Sequence, residues 1–279
     1  VRPYPMLIPF SRQASRPGWM LSCGLMLHDV LSLGKRLPLN RIVFSGRLKR
    51  EWPSVAKGGV TWGGLFQDAH VPVTERFAIE LAVDAARHGT TVLTHTPVTE
   101  LLREGGRITG VAYQDRETGE RREVRAPVVV NCAGPRARWL AEMVDLPLPV
   151  EPRIRGAWVF GCRATLDGPT LPLTINTTGM HVRTEPPHYL AGAPPVDDRA
   201  VDPDDFAVRD AEWEEVIWPA LVRRIPAFER IGVTHRWVGH YAYNTLDQNA
   251  VVGPAEAVPN FYFCNGFSGH GLQQSAGVG

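Results

Sequence analysis

The chain carries two kinds of apolar pattern, and each predicts a different kind of β-strand. Val128–Val130 is a continuous apolar run, which is typical of a strand buried on both faces. Phe261–Phe263 is a second such run. The stretch 152–163 alternates instead, so that one face holds Ile154, Trp158, Phe160 and Cys162 and the other holds Arg153, Arg155 and Arg163. The patterns predict buried strands combined with an antiparallel layer.

One segment, Gly18–Leu33, is almost entirely apolar and is bracketed by Pro17 and Gly34, which predicts a helix. His28 and Asp29 interrupt it, and it is shorter than the ~20 residues that a membrane span needs. We interpret it as a buried helix. The alternative is a helix that lies on a membrane surface.

Two further helices are predicted. The first begins at Thr74 as N-cap and ends at Gly89, and its apolar face consists of Phe77, Ala78, Leu81, Ala82, Ala85 and Ala86. The second covers Glu212–Arg224. Residues 60–71, before the first helix, are a predicted strand. After that helix, 90–95 and three segments from Val98 onward are predicted strands, with a hairpin at Glu117–Glu120. The proline-broken residues 1–16 are predicted to be an extended loop. The fold class is α/β (α+β).

Composition and charge exclude several classes of protein. The 279 residues are 44% hydrophobic and 21% charged, which is ordinary for a globular protein. A formal net charge of +1 gives no electrostatic case for nucleic acid. The four cysteines are scattered, which fits a reducing compartment better than a disulfide framework or a zinc site. No metal-ligand cluster, phosphate loop or Ser-His-Asp arrangement is apparent.

The last nineteen residues, 261–279, hold the strongest signal for a ligand site. The apolar run ends in a loop with Gly266, Gly269 and Gly271, and between the glycines stand Ser268 and His270. Glycines let backbone pass close to a flat ligand and point N–H groups at it. A helix is predicted from about Leu272, and its first N–H groups would suit electron-rich oxygens.

A second candidate lies where the Val128–Val130 strand ends. The turn Ala133-Gly134-Pro135 allows a ligand, or simply the next helix, to approach closely. We expect this turn and the loop at His270 to converge on one ligand.

These two segments closely resemble the D-amino-acid/sarcosine oxidase superfamily of FAD-dependent oxidoreductases, in which the terminal loop lies along the flavin. The resemblance implies an incomplete two-dinucleotide-binding FAD fold with an antiparallel-sheet substrate or cap domain. It divides the chain into 1–149 (partial FAD-binding domain), 150–245 (cap) and 246–279 (return to the FAD-binding domain). The implied cofactor-binding residues are Val98, Ala133, Gly134, Gly266, Ser268, Gly269, His270, Gly271 and Leu272. The family usually has Trp where Arg136 stands.

The two halves resemble different branches. RPYPMLIPF, WGGLFQDAHV and VVVNCAGP resemble aerobic glycerol-3-phosphate dehydrogenase over roughly residues 2–145, whereas HYAYNTLDQNAVVGP and GFSGHGLQQ resemble the branch of complex-I-assembly FAD oxidoreductases. A G-x-G-x-x-G turn with an acidic residue ~20 positions later is expected before Val1. Because this turn does not occur within residues 1–279, we expect a fragment that binds FAD weakly or not at all on its own.

The resemblance implies hydride transfer from an amine-type or amino-acid-type substrate to flavin N5, with oxygen or a quinone as electron acceptor. The candidate catalytic residues are His270, Tyr241, Tyr243 and Gln273, and Gln273 stands where sarcosine oxidases place a lysine. A covalent flavin link at His240 is a less favoured alternative.

Two other functions stay open, a glycerol-3-phosphate-type dehydrogenase and an inactive fragment or assembly factor. We expect a cytoplasmic protein, with peripheral contact to the inner membrane through Gly18–Leu33 as the alternative.

Overall fold

A computed structural model describes residues 2–10, 17–34, 37–57, 59–163, 166, 170–176 and 178–279. The strands are β1 Arg2–Pro9, β2 Arg41–Phe44, β3 Trp62–His70, β4 Val98–Glu104, β5 Arg107–Gln114, β6 Arg121–Arg125, β7 Val129–Asn131, β8 Val150–Cys162, β9 Leu173–Ile175, β10 His181–Glu185, β11 His188–Gly192, β12 Ile231–Asn244, β13 Val251–Ala255 and β14 Val258–Asn265. The helices are α1 Gly18–Leu31, α2 Ser45–Glu51, α3 Pro53–Lys57, α4 Thr74–Arg87, α5 Ala137–Glu142, α6 Asp210–Glu212, α7 Trp218–Arg224 and α8 Gly271–Val278. The predicted α/β class is confirmed.

The chain divides into two compact units. Unit 1 consists of residues 1–77, 155–197 and 206–238, and unit 2 of residues 78–154, 198–205 and 239–279. The division falls within β8 and β12. The described residues before Ala78 therefore belong to the same unit as 155–197 and 206–238, whereas the sequence division grouped them with 78–149. As a statement about domains, the three-part division stays a prediction.

Unit 1 is built on a sheet of eight strands in the order β12-β8-β11-β10-β9-β1-β3-β2. The predicted alternation along β8 is confirmed, because Ile154, Trp158 and Phe160 are buried together with Gly156 on the same face, and the alternate residues between them are not. Cys162, which was predicted on this face, is partly buried. Phe160 packs edge-on against Phe228, with ring centroids 5.1 Å apart. These side chains belong to a core of buried aliphatic and aromatic residues, and removing that apolar surface from water stabilises the unit.

The prediction of an extended loop over residues 1–16 is wrong at Arg2–Pro9, because β1 lies inside the sheet between β3 and β9. Residues 11–16 lie outside the part of the chain that the structure describes. Pro3, Pro5 and Pro9 occupy alternate positions, so all three missing N–H groups point to one side of the strand. β1 pairs with β3 along its whole length but with β9 only at Met6 and Leu7. The prolines thus remove donors only where little pairing occurs.

The predicted helix Gly18–Leu33 is present as α1, but it is not buried, and no residue of α1 lies in a core. Trp19 is 66% exposed and Leu31 is 78% exposed. Gly18 and Leu25 lie against β3, where glycines leave room for them. In the described part of the chain nothing covers the outer face. No described helix is both long enough and apolar enough to cross a membrane.

The predicted helix 212–224 continues through three segments, α6, a wider π-type turn at Trp213–Ile217 and α7. The wider turn precedes Pro219, which has no N–H to continue the regular ladder. Ile217 and Leu221 are buried, whereas Trp213 packs at the edge of the core.

Unit 2 contains two three-stranded sheets, β13-β14-β7 and β4-β5-β6. Its core comprises Leu101, Ile108, Ala137, Ala141, Val144, Leu146, Leu148, Val150, Ala255, Val258 and Phe261. The hairpin predicted at Glu117–Glu120 is confirmed, since the N–H of Asp115 donates to the Glu120 carbonyl at 2.9 Å across the turn between β5 and β6.

Three predictions for unit 2 are corrected. Val128 and Val130 are 48% and 52% exposed rather than buried on both faces, and among the described strands β7 pairs only with β14, at the edge of its sheet. The apolar face of α4 contains no buried residue. Residues 90–95 form no strand, because no described strand pairs with them.

Candidate functional site

Two adjacent strands carry the two candidate loops. β7 and β14 run parallel, with Phe261, Tyr262 and Phe263 opposite Val129, Val130 and Asn131. Because parallel strands end at the same edge of a sheet, the turn at Ala133 and the loop at Gly266 leave from neighbouring positions. The Asn265 Nδ2 donates to the Asn131 carbonyl at 3.3 Å and holds the two ends together.

The first loop is fixed by the buried side chain of Asn131. Its Nδ2 donates to the Ala137 carbonyl at 2.9 Å, and its Oδ1 accepts from the Ala133 N–H at 3.1 Å. Gly134 adopts φ +56°, which favours glycine, and no atom lies within 4 Å of where its Cβ would stand. The backbone at Gly134 is therefore open to the approach of a ligand.

The second loop is held from inside by Ser268. The buried Ser268 hydroxyl accepts from the Asn244 N–H at 2.9 Å and donates to the Gly266 carbonyl at 3.2 Å. The Ser268 N–H donates to the Ala242 carbonyl at 3.0 Å. The side chain predicted to bind cofactor is thus engaged in positioning the loop against β12.

Close packing within the protein explains why the positions in the second loop are glycines. A Cβ on Gly269, which has φ +94°, would stand 2.4 Å from Cε2 of Tyr241. A Cβ on Gly266 would stand 3.0 Å from Val150, and one on Gly271 would stand 3.3 Å from Phe267. These glycines therefore let the loop pack closely on its own unit. At Gly134, by contrast, no neighbouring atom fills the position that a side chain would occupy.

His270 is the N-cap residue of α8, and no side chain caps this helix. The first N–H groups of the helix, at Gly271, Leu272 and Gln273, have no acceptor within the helix by geometry. With the dipole of the helix they present partial positive charge. His270, Leu272 and Gln273 are exposed.

The two tyrosines occupy different environments on β12. The ring of Tyr243 lies under Arg153, with the guanidinium carbon 4.9 Å from the ring centroid, and Tyr243 pairs with Phe267 in an isolated bridge. Arg153 in turn binds Glu151 at 2.9 Å. Tyr241 is 37% exposed and packs against Gly269. Both tyrosines therefore contact the second loop.

Val98 belongs to a different sheet from the two loops. It is the first residue of β4, in the other three-stranded sheet of unit 2, and it packs against the same core as Val129 and Phe263. Its role in cofactor binding stays a prediction, as do the roles of the other site residues.

Arg136, which departs from the pattern of the family, has a partner in the structure. Both of its terminal nitrogens contact the carboxylate of Asp204, with Nη1 3.3 Å from Oδ2. The hydrogen bond from Arg136 lowers the pKa of Asp204 below its usual range. Both groups are exposed, so the pair orients the turn more than it stabilises the fold.

Buried asparagines are the residues that the sequence interpretation missed. Asn131, Asn244, Asn260 and Asn265 are all buried in unit 2. Their positions in the sequence could have marked them as structurally important. An asparagine buried within or directly after an apolar strand must find hydrogen-bond partners. The apolar pattern predicted that these strands are buried, but it did not predict which polar side chains would form hydrogen bonds among them.

Two features of the site suit FAD, whose flat isoalloxazine ring and phosphate groups both carry or adjoin electron-rich oxygens. The backbone at Gly134 is open to a neighbouring group, and the uncapped start of α8 offers N–H groups to electron-rich oxygens. Both features lie in unit 2.

Comparison with known proteins gives the family. The profile of the family described as "FAD dependent oxidoreductase" matches residues 5–279. The chain is 39% identical over 171 residues to FAD-dependent oxidoreductase domain-containing protein 1 of Bos taurus, covering 56% of this chain and 35% of that protein. It is 30% identical over 149 residues to glycerol-3-phosphate dehydrogenase of Synechocystis, covering 52% of this chain and 26% of that protein.

Among solved structures, L-proline dehydrogenase from P. horikoshii superposes with a TM-score of 0.78 at 19% identity, covering 99% of this chain and 70% of that one. That similarity shows the fold. The chain spans about a third of the length of the bovine relative. The predicted superfamily and its cofactor, FAD, are confirmed, and the chain belongs to the FAD-dependent oxidoreductase family.

Proposed function

We propose that this chain forms the flavin-facing and substrate-facing part of an oxidoreductase that oxidises a small amine or amino acid. The observation that carries the proposal is the pair of loops at the ends of β7 and β14, followed by the uncapped α8. Bound FAD would supply the hydride acceptor at N5. The fold is similar to that of L-proline dehydrogenase, and a substrate of this class is consistent with that similarity.

The residues have separate tasks in this proposal. Gly134 gives backbone access beside the first loop, and the N–H groups of Gly271, Leu272 and Gln273 stabilise negative charge on a bound ring. Ser268 keeps the second loop in place. His270, Tyr241 and Gln273 are exposed polar groups at the same loop, and they would orient the substrate.

Two alternatives have support of their own. The similarity to glycerol-3-phosphate dehydrogenase favours a polyol-phosphate substrate. A non-enzymatic role, as an assembly factor or an inactive chain, remains the third hypothesis.

The test uses the complete gene product that carries this chain, loaded with FAD and kept free of oxygen. We expect N-methylglycine or proline to bleach the visible flavin band and glycerol 3-phosphate to leave it unchanged. The reverse result would establish the polyol-phosphate alternative. A protein that binds FAD but is bleached by neither class of substrate would contradict both enzyme hypotheses.

A matched pair of glycines tests the cofactor loop in the same experiment. Gly134→Ala should weaken FAD binding by about tenfold or more, because a methyl group enters the space proposed for the ligand. Gly119→Ala is the control, since Gly119 also has positive φ and open surroundings but lies in the hairpin between β5 and β6. Equal effects of the two substitutions would mean that Gly134 acts only through backbone strain.

We further propose that α1 makes a peripheral membrane contact, which would suit a quinone as electron acceptor. Its outer face presents Trp19, Met26, Leu27, Val30 and Leu31 to solvent. Exposed basic residues follow at Arg41, Lys49 and Arg50. Apolar side chains next to basic ones are typical of helices that bind anionic lipid surfaces.

Sedimentation with phosphatidylglycerol vesicles measures this contact. The double variant Leu27→Glu/Leu31→Glu should lower binding by about tenfold or more, because two leucines that would insert into the lipid surface are replaced by charged side chains. The control, Ile79→Glu/Leu81→Glu, changes equally exposed apolar residues on α4 of unit 2. Unchanged sedimentation of the α1 variant would refute the membrane contact.

A further inference from the structure

Two cysteines that are far apart in the sequence lie side by side in unit 2. Cys132 directly follows β7, and Cys264 is the next-to-last residue of β14. Phe263 stands opposite Asn131 in the parallel register, so the next pair along the two strands is Cys264 and Cys132. Residues paired in this way point to the same face of a sheet.

The spacing suits a covalent bond between the two sulfurs. Neighbouring strands lie about 4.8 Å apart, and disulfides join Cα atoms about 4.4–6.8 Å apart. The side chains of Cys132 and Cys264 are within hydrogen-bonding reach of each other. One residue further on, the bond from Asn265 to the Asn131 carbonyl keeps the strand ends together.

We propose that Cys132 and Cys264 form a dithiol site that is oxidised reversibly to a disulfide by a peroxide. One thiolate attacks the O–O bond, which breaks and leaves a sulfenic acid and hydroxide. The second thiol attacks that sulfur, so that an S–S bond forms and the oxygen leaves as water. Two protons and two electrons pass from the thiols to the peroxide, and hydrogen peroxide gives two molecules of water.

The position of this site gives the oxidation a structural effect. Cys132 immediately precedes Ala133, and Cys264 stands two residues before Gly266. A disulfide would therefore tie the starts of the two glycine-bearing loops to each other. This site goes beyond the proposed function and does not depend on flavin being bound.

Accessibility and acidity set the expected rate. Cys132 is exposed and Cys264 is partly exposed, so a small oxidant can reach the pair. Burial, followed by the neighbouring Cys264, raises the pKa of the Cys132 thiol above its ordinary value. Since the thiolate is the nucleophile, a raised pKa means that oxidation accelerates as the pH rises above neutral.

The experiment uses the full chain in a Cys23→Ser/Cys162→Ser background, in which only the proposed pair remains of the four cysteines. After treatment with hydrogen peroxide we expect free thiols to fall from two to none and dithiothreitol to restore both. The mass should fall by about 2 Da, and a digest should contain a Cys132–Cys264 linked peptide. The thermal midpoint should rise, because the disulfide closes a long loop.

Adding Cys132→Ser or Cys264→Ser to that background should abolish both the linked peptide and the rise in thermal midpoint. Dimers on a non-reducing gel, or separate sulfinic acids at the two positions, would overturn the proposal. Both outcomes are visible by mass whether or not FAD binds, so failure here is distinguishable from failure of the proposed function.

Discussion

Replacing Asn260 with alanine should lower the free energy of unfolding by about 3–5 kcal/mol, because it strands several buried polar groups at once. The Asn260 Oδ1 accepts from the Ile108 N–H at 3.0 Å, and its Nδ2 donates to the Pro127 carbonyl at 3.0 Å and to the Ile108 carbonyl. The side chain is 3% exposed, so water cannot replace these bonds. Urea denaturation followed by circular dichroism measures the change.

Two further variants define the cause. Asn249→Ala removes an exposed side chain whose Nδ2 donates to the Asp247 carbonyl at 3.2 Å, and it should cost less than about 1 kcal/mol. Asn260→Asp keeps the size of the side chain but loses both Nδ2 donations, so it should be destabilising as well. A stable Asn260→Asp protein would mean that side-chain volume, and not hydrogen bonding, is what the site requires.

Gly269→Ala should destabilise the chain by about 2–4 kcal/mol, from two separate sources. Alanine at φ +94° carries a backbone cost of about 1–2 kcal/mol. Its methyl group would stand 2.4 Å from the ring of Tyr241, and such overpacking costs about 1–3 kcal/mol. The loop that holds His270 would have to move to relieve the contact, and the same denaturation measurement detects the loss.

A double-mutant cycle separates the two sources. In a Tyr241→Ala background the clash is gone, so Gly269→Ala should then cost only about 1–2 kcal/mol. Gly277→Ala in α8 is the matched control, because no atom lies near that Cβ position and alanine favours a helix. If Gly269→Ala costs the same in both backgrounds, the contact with Tyr241 does not constrain the loop.

Much of the local structure could be predicted because it depends on neighbours in the sequence. The alternation along β8, the hairpin between β5 and β6 and the helix that starts at Thr74 follow from spacing and turn residues alone. The glycine-rich ending also indicated the right family, because loops that approach a cofactor need particular backbone conformations.

Burial was harder to predict, because it depends on what lies against an element. The apolar residues of α1 and α4, together with Val128 and Val130, form patterns typical of core positions, yet none of them is buried in the described part of the chain. A hydrophobic pattern shows which face could be buried, and only the packing shows whether another element covers it.

The sequence by itself determined the alternation along β8, the hairpin between β5 and β6, the helix from Thr74, the glycines that permit the two loops and the family to which the chain belongs. Only the tertiary structure decided that prolines are tolerated inside a sheet at β1, that Ser268 holds its own loop, and that Cys132 meets Cys264. The physical reason is the same in each case. Strand order and register bring together residues that are distant in the chain, and spacing along the sequence carries no record of that pairing.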